Sequence, residues 1–283
     1  MRENAGSCES VQQKSGIPLV AHMIVAIARN QLRRVGLIPL AKAVLARKNR
    51  GGNPWSELDL ELGLRHILEL YELLLPELPA DLEGRAGLEI GPGDTTALAG
   101  CFAMRGAEMQ AVEKFASVNA AYTERLIKQL RSIVGDGNAE VELYNGLFES
   151  FQSSHDFDFI YSVDVMEHVE SPKEVFAHVY QLLKAGGKMV HSIDLAGHLI
   201  GDLEHLCCPD WLWKFAFSHV ETTNRVRLHE FVAAAQDAGF SDVLVRVLHS
   251  ADISRIRPRI LERWRNLPDR ELAALQILIT AVK

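Results

Sequence analysis

The stretch Leu88-Glu-Ile-Gly-Pro-Gly-Asp-Thr95 decides the fold class. A short apolar run over 87–90 reads as a strand, leads straight into Gly91 and Gly93, and continues into a helix over about 95–105. Glycines suit such a turn because they take backbone angles closed to other residues and let the main chain approach a ligand. In doubly wound α/β sheets, ligands bind beyond the carboxyl ends of the strands, which is where this loop falls.

On the C-terminal side of the loop, strand-like and helix-like segments alternate. Strands are expected over 87–90, 108–112, 139–144, 157–162, 188–193, 242–248 and 275–282. Helices are expected over 118–133, 172–183 and 228–238, the second closed by Lys184-Ala-Gly-Gly187. This rhythm predicts an α/β chain: a seven-stranded, mostly parallel, doubly wound Rossmann-like sheet with one antiparallel strand. On the N-terminal side, 57–75 carries a leucine repeat at helical spacing, ended by Pro76 and Pro79. Residues 17–49 read as two short apolar helices split near Gly36 and Pro39. The expected organisation is therefore a helical extension or cap over 1–82 and a ligand-binding domain over 83–283, with a lid-like insert over about 195–227.

The ligand class follows from what surrounds the glycines. A dinucleotide fingerprint needs a third glycine at position 96, and Thr96 stands there. Glu89 puts a carboxylate beside the loop, which suits a cationic amine or sulfonium and repels a phosphate. Glu113 ends the second strand, 20 residues past Gly93, where an acid accepts hydrogen bonds from ribose hydroxyls. A solvated acid at a strand end is the plainer reading of Glu113 alone; paired with the loop, the ribose role is favoured.

Together, Glu89-x-Gly91-x-Gly93, Glu113, the segment Phe157-Asp-Phe-Ile-Tyr-Ser-Val-Asp-Val-Met-Glu-His-Val169 and Leu183-Lys-Ala-Gly-Gly187 resemble class I S-adenosylmethionine-dependent methyltransferases. The likeness is to the small-molecule type with V-x-E-H-V after strand four, and it covers 83–283. It implies S-adenosyl-L-methionine as cofactor. Carried over by motif, its binding residues are Glu89, Gly91, Pro92, Gly93, Thr95, Glu113, Lys114, Gly146, Leu147, Phe148, Ser162 and Asp164. Two positions depart from the family pattern. Thr95 replaces the loop's third glycine, and the segment after strand three lacks the usual acid for adenine, leaving backbone groups with Leu147 and Phe148. The resemblance implies methyl transfer to O, N or C of a small-molecule acceptor such as a sugar, nucleotide-sugar or secondary metabolite. An NAD-dependent oxidoreductase and a non-catalytic nucleoside-binding module stand as alternatives; Thr96 and Glu89 weigh against the first, and the intact donor motifs against the second.

Methyl transfer is a direct displacement that needs the acceptor atom aligned in line with the S–CH3 bond. A base helps when the acceptor has a proton to lose, and histidine suits that task. His168, in the segment after strand four, and Asp194 with His198, at the exit of strand five, are the candidate catalytic residues; each histidine by itself is better explained by a structural role, while Asp194 and His198 as a set stand evenly between the two. Strand alternation sends Asp194 outward and His191 under the sheet. The spacing His191-x2-Asp194-x3-His198, with His205 and Cys207-Cys208 beyond, matches no familiar ligand pattern, so no metal is expected. In the insert, Trp211, Trp213, Phe215 and Phe217 suggest an acceptor lid or plain packing, and Arg225 and Arg227 suggest an anion site or solvated charges.

The remaining features bound the setting. No run of 18 apolar residues and no secretory signal is visible, and the four cysteines form no CxxC pair, so a cytoplasmic, reducing location is expected. Residues 11–56 carry eight basic side chains and no acidic one, against 22 basic and 37 acidic elsewhere. Homo-oligomer contact through the apolar faces is the favoured reading of this segment, ahead of attraction of an anionic substrate and peripheral membrane contact. The acidic remainder and the lack of a reader motif argue against nucleic acid.

Overall fold

The computed structural model describes residues 57–115, 117–198, 201–216 and 223–283. The expected helices of 17–49, and the basic segment with them, lie outside the described residues. Seven strands form one sheet: β1 (Ala86–Ile90), β2 (Glu108–Glu113), β3 (Val141–Asn145), β4 (Phe157–Val163), β5 (Leu183–Asp194), β6 (Ser241–Ser250) and β7 (Ala274–Val282), in the order β3-β2-β1-β4-β5-β7-β6. Strands β1 to β5 pair in parallel, and β7 runs antiparallel between β5 and β6. The sheet expected from the sequence is the sheet observed. The order reverses between β1 and β4, so the crevice beyond their carboxyl ends is where such a sheet takes a ligand.

Helices cover both faces. On one face lie α1 (Glu57–Leu74), α2 (Ala97–Ala103) and α3 (Ala120–Val134), whose Leu74, Phe102 and Leu126 pack on Phe159 and Tyr161 of β4. On the other lie α4 (Pro172–Leu182) and α6 (Leu228–Ala238), whose Phe176, Val179 and Phe231 pack on Ile160, Met189 and Ile279. β4 is buried almost throughout, because its alternate residues feed two cores; this is why its sequence reads as a continuous apolar run. Caps fix the helix starts: Asn119 accepts from Tyr122 N–H at 3.0 Å, and Ser171 does the same for Glu174.

Several short elements go beyond the sequence expectation. They are α5 (Asp210–Ala216), α7 (Glu262–Arg265) and α8 (Asp269–Leu272), and the Lys184–Gly187 segment joins β5 instead of forming a loop. Leu203, Leu206, Ile256, Ile260, Trp264 and Leu272 build a third, smaller core under them.

Candidate functional site

The glycine loop leaves β1 at the carboxyl edge of the sheet with Gly91 at φ 69° and Gly93 at φ 68°, the left-handed region that favours glycine. A Cβ on Gly91 would stand 2.7 Å from Val165 Cγ2, so this residue is also required by close packing. A Cβ on Gly93 would meet nothing within 4 Å among the described residues, which leave the space in front of it open.

Glu113 ties the site together. Its buried carboxylate accepts from Gly93 N–H at 2.9 Å and from Phe115 N–H at 2.8 Å, binding the end of β2 to the loop after β1. Ser117 Oγ donates to Gly93 O, and Asn119 N–H to Asp94 O, from the other side. Thr95 faces away from the crevice: its hydroxyl accepts from Ala97 N–H and bonds Thr123, anchoring the start of α2 to α3.

Glu89 lies under the loop, buried, with Oε2 lacking a hydrogen-bond partner. Burial pushes its carboxyl up to about 8; the Tyr161 hydroxyl and Ala99 N–H facing it oppose the rise, and Glu113 adds to it. At pH 7 this carboxyl is therefore mostly neutral without a cation beside it. A cationic ligand would supply the counter-charge it lacks.

Three expected contacts stand differently. Ser162 is fully buried, and its Oγ pairs with His191 Nδ1 at 2.8 Å, because Ser162 and His191 are register partners on the inner face of β4 and β5. Its side chain is thus withdrawn from the crevice. Phe148 turns into the core against His178 (ring centroids 4.9 Å apart), which leaves the half-exposed Leu147 and the backbone of Gly146 at the rim. The Lys114 ammonium sits over the exposed Phe115 ring, 5.3 Å from its centroid, rather than on the loop. Pro92 stays between the two glycines at the surface.

Beyond β4 the segment 164–169 carries the acid and histidine groups. Asp164, at φ 52°, donates its N–H to Ser192 O and turns the chain so that Val165 covers Gly91. It remains exposed; partial loss of solvent and the nearby Asp194 charge raise its carboxyl somewhat. Glu167 is 2% exposed, and neither carboxylate oxygen has a hydrogen-bond partner. Burial pushes it up to about 9; the Glu167 backbone N–H opposes the rise, the Asp164 and Asp194 charges add to it, and the Asp194 N–H opposes it. The His168 ring nitrogen lies 3.8 Å from it. From β5, Asp194 Oδ2 meets His198 Nε2 at 3.3 Å, and the rings of His168 and His198 are 5.4 Å apart, edge to face. The structure thus brings His168, Asp194 and His198 together, and it adds Glu167.

Sequence reasoning missed Asn224. Its amide donates to Met166 O (2.8 Å) and Val169 O (3.0 Å), and its N–H to Glu167 O, so it clamps the 164–169 turn at three points. The expectation of an anion site at Arg225 and Arg227 is corrected. The Arg225 guanidinium lies between Trp213 and Trp264 and donates to His205 O and Cys208 O. Arg227, fully buried, donates to the carbonyls of Leu195, Glu271, Leu272 and Ala274. Both are internal struts, held near a pKa of about 10 by burial.

Residues 64–245 match a family model described as a methyltransferase domain. The chain belongs to the methyltransferase domain family. The resemblance to S-adenosylmethionine-dependent methyltransferases read from the sequence holds at the level of this domain family, which weighs against the oxidoreductase alternative. Among solved structures, phosphoethanolamine N-methyltransferase 2 of Haemonchus contortus, in complex with S-adenosyl-L-methionine, is similar at 16% identity and TM-score 0.53, over 82% of this chain and 58% of that one. The same enzyme with phosphomonomethylethanolamine and S-adenosylhomocysteine gives the same values. An S-adenosylmethionine-dependent methyltransferase from Mesorhizobium loti matches at 18% identity and TM-score 0.47, over 75% of this chain and 96% of that one. The chain spans a little under three-fifths of the length of the Haemonchus enzyme. No curated protein matches by sequence. Among the described residues no helix is long and apolar enough to cross a membrane.

Proposed function

We propose that this methyltransferase moves the methyl group of S-adenosylmethionine to a small-molecule acceptor. The observation that carries the reading is the open space at Gly93 beside Glu113, with the buried Glu89, one of whose carboxyl oxygens lacks a partner, four residues before it in the same strand-to-loop segment. S-adenosylmethionine supplies a methyl carbon already activated by positive sulfur. Glu89 would balance the positive charge, its carboxyl becoming ionised as the cation arrives. Glu113, already fixing the loop through two backbone N–H groups, keeps lone pairs for the ribose hydroxyls. Gly146 and Leu147 border the adenine side.

His168, Asp194 and His198 form the acceptor side. With Asp194 orienting the His198 ring, a histidine can take the proton of an acceptor hydroxyl or amine as the new bond forms. Trp211, strongly exposed on α5, and the half-exposed Phe215 are candidate lid residues of the 195–227 insert. The test is incubation of the chain with isotopically labelled methyl donor and fractionated metabolite pools, followed by mass spectrometry. Label in a low-mass product supports the reading; label confined to macromolecules contradicts a small-molecule acceptor.

A further inference from the structure

Glu167, Asp194 and His198 each offer a ligand atom, and the three atoms lie within 4.8 Å of one another. Neighbouring ligands on a divalent ion at about 2.1 Å stand about 3.0–3.4 Å apart; Asp194 Oδ2 and His198 Nε2 already have that spacing at 3.3 Å, and the Glu167 oxygen would close on them by less than about 2 Å. The linear spacing hid the grouping, because the third member comes from a different strand exit: Glu167 follows β4, while Asp194 and His198 follow β5.

The group is more than a cluster of acids. Glu167 is almost wholly buried, faces the other two, and has no hydrogen bond to either oxygen. A buried carboxylate without a partner is costly, and native structures pair such groups. Among the described residues the only basic group beside it outside the three is the His168 ring, 3.8 Å away. The turn that presents Glu167 is pinned by Asn224 at Met166, Glu167 and Val169, so the carboxylate is held in place rather than left to swing into solvent. Asp194 is pinned as well, since its Oδ1 accepts from Ala196 N–H while Oδ2 faces His198.

We infer that Glu167, Asp194 and His198 form a binding site for one first-row divalent cation such as Mn2+, beside the donor crevice. Two carboxylates and one imidazole are hard and borderline ligands that suit Mn2+, Fe2+ or Zn2+, and they leave coordination positions for solvent or acceptor. An acceptor bearing oxygen donors is the class such an ion would add to the site. That use rests on the methyl-transfer reading; the binding of the ion does not.

The experiment is a titration of the full chain, stripped with chelator, with MnCl2, following free Mn2+ by electron paramagnetic resonance. One Mn2+ per chain is expected, with Glu167→Gln and His198→Ala each weakening it by at least about tenfold. The His198 side chain is 38% exposed, so its replacement leaves the fold intact and its result stands even if Glu167→Gln unfolds. An unchanged free-Mn2+ signal with wild type, or uptake that survives both substitutions, overturns the site. A parallel wild-type titration with S-adenosylmethionine separates the two claims: Mn2+ uptake without donor binding sinks the methyl-transfer reading and keeps the cation site.

Discussion

Gly91 is held by two demands at once, a left-handed φ and the pressure of Val165. Even the smallest side chain should disturb it. Gly91→Ala is expected to cost about 1–3 kcal/mol, since alanine must be forced into the left-handed region and the Val165 turn must move. Calorimetric titration should show weaker S-adenosylmethionine binding, and thermal unfolding a lower midpoint; unchanged values in both would separate Gly91 from the site. These glycines and Glu113 were legible because backbone angle and charge leave a mark on residue choice. Ser162 was not, because its inward turn depends on its register partner His191, 29 positions on. Glu167 was hidden for the same reason: one sequence does not tell a buried acid from an exposed one.

At the scale of elements, the site depends on how segments are tied. The Asn224 amide ties the 164–169 turn at two carbonyls, so Asn224→Ala leaves both without their donor and should cost about 1–3 kcal/mol. Hydrogen exchange of the His168 amide, which bonds Val165 O, should speed up; exchange as slow as in wild type would show that the turn holds itself. Arg227 is a larger strut, joining the exit of β5 to the entry of β7 through four carbonyls. Arg227→Met should lower the unfolding free energy by at least about 3 kcal/mol in denaturant, because several buried acceptors lose their donor together. A loss under 1 kcal/mol would mean that water replaces the guanidinium. The strands and long helices were readable from periodicity, whereas α5, α7 and α8 were not: four to seven residues give too little repeat, and tertiary packing under Trp264 decides them.

For the whole molecule, buried titratable groups set opposite trends with pH. Glu89 and Glu167 are raised to about 8 and about 9, so the folded chain holds protons that the unfolded chain has released. Their contribution is full below the unfolded value of 4.5 and is lost as pH rises through the folded values. His191 and His205 are lowered to about 3 by burial, so their contribution is present above 6.5 and is lost as pH falls toward 3. Between pH 6.5 and 8 the carboxyl effect outweighs the fading histidine one. The metal-free, donor-free protein should therefore melt at a higher temperature at pH 6.5 than at pH 8, and Glu89→Gln should flatten that slope. A midpoint that rises over this window would contradict the buried, neutral state of these acids.

The central claim is that the crevice at Gly91 and Gly93 takes a sulfonium nucleoside, and its most direct measurement is calorimetric titration of the chain with S-adenosylmethionine beside NADH. One S-adenosylmethionine should bind per chain and NADH should not, with binding weakened by Glu113→Ala and abolished by Gly93→Val, whose side chain would stand in the open cradle. Heat from NADH but not from S-adenosylmethionine, or full donor binding by the Gly93→Val protein, would contradict it.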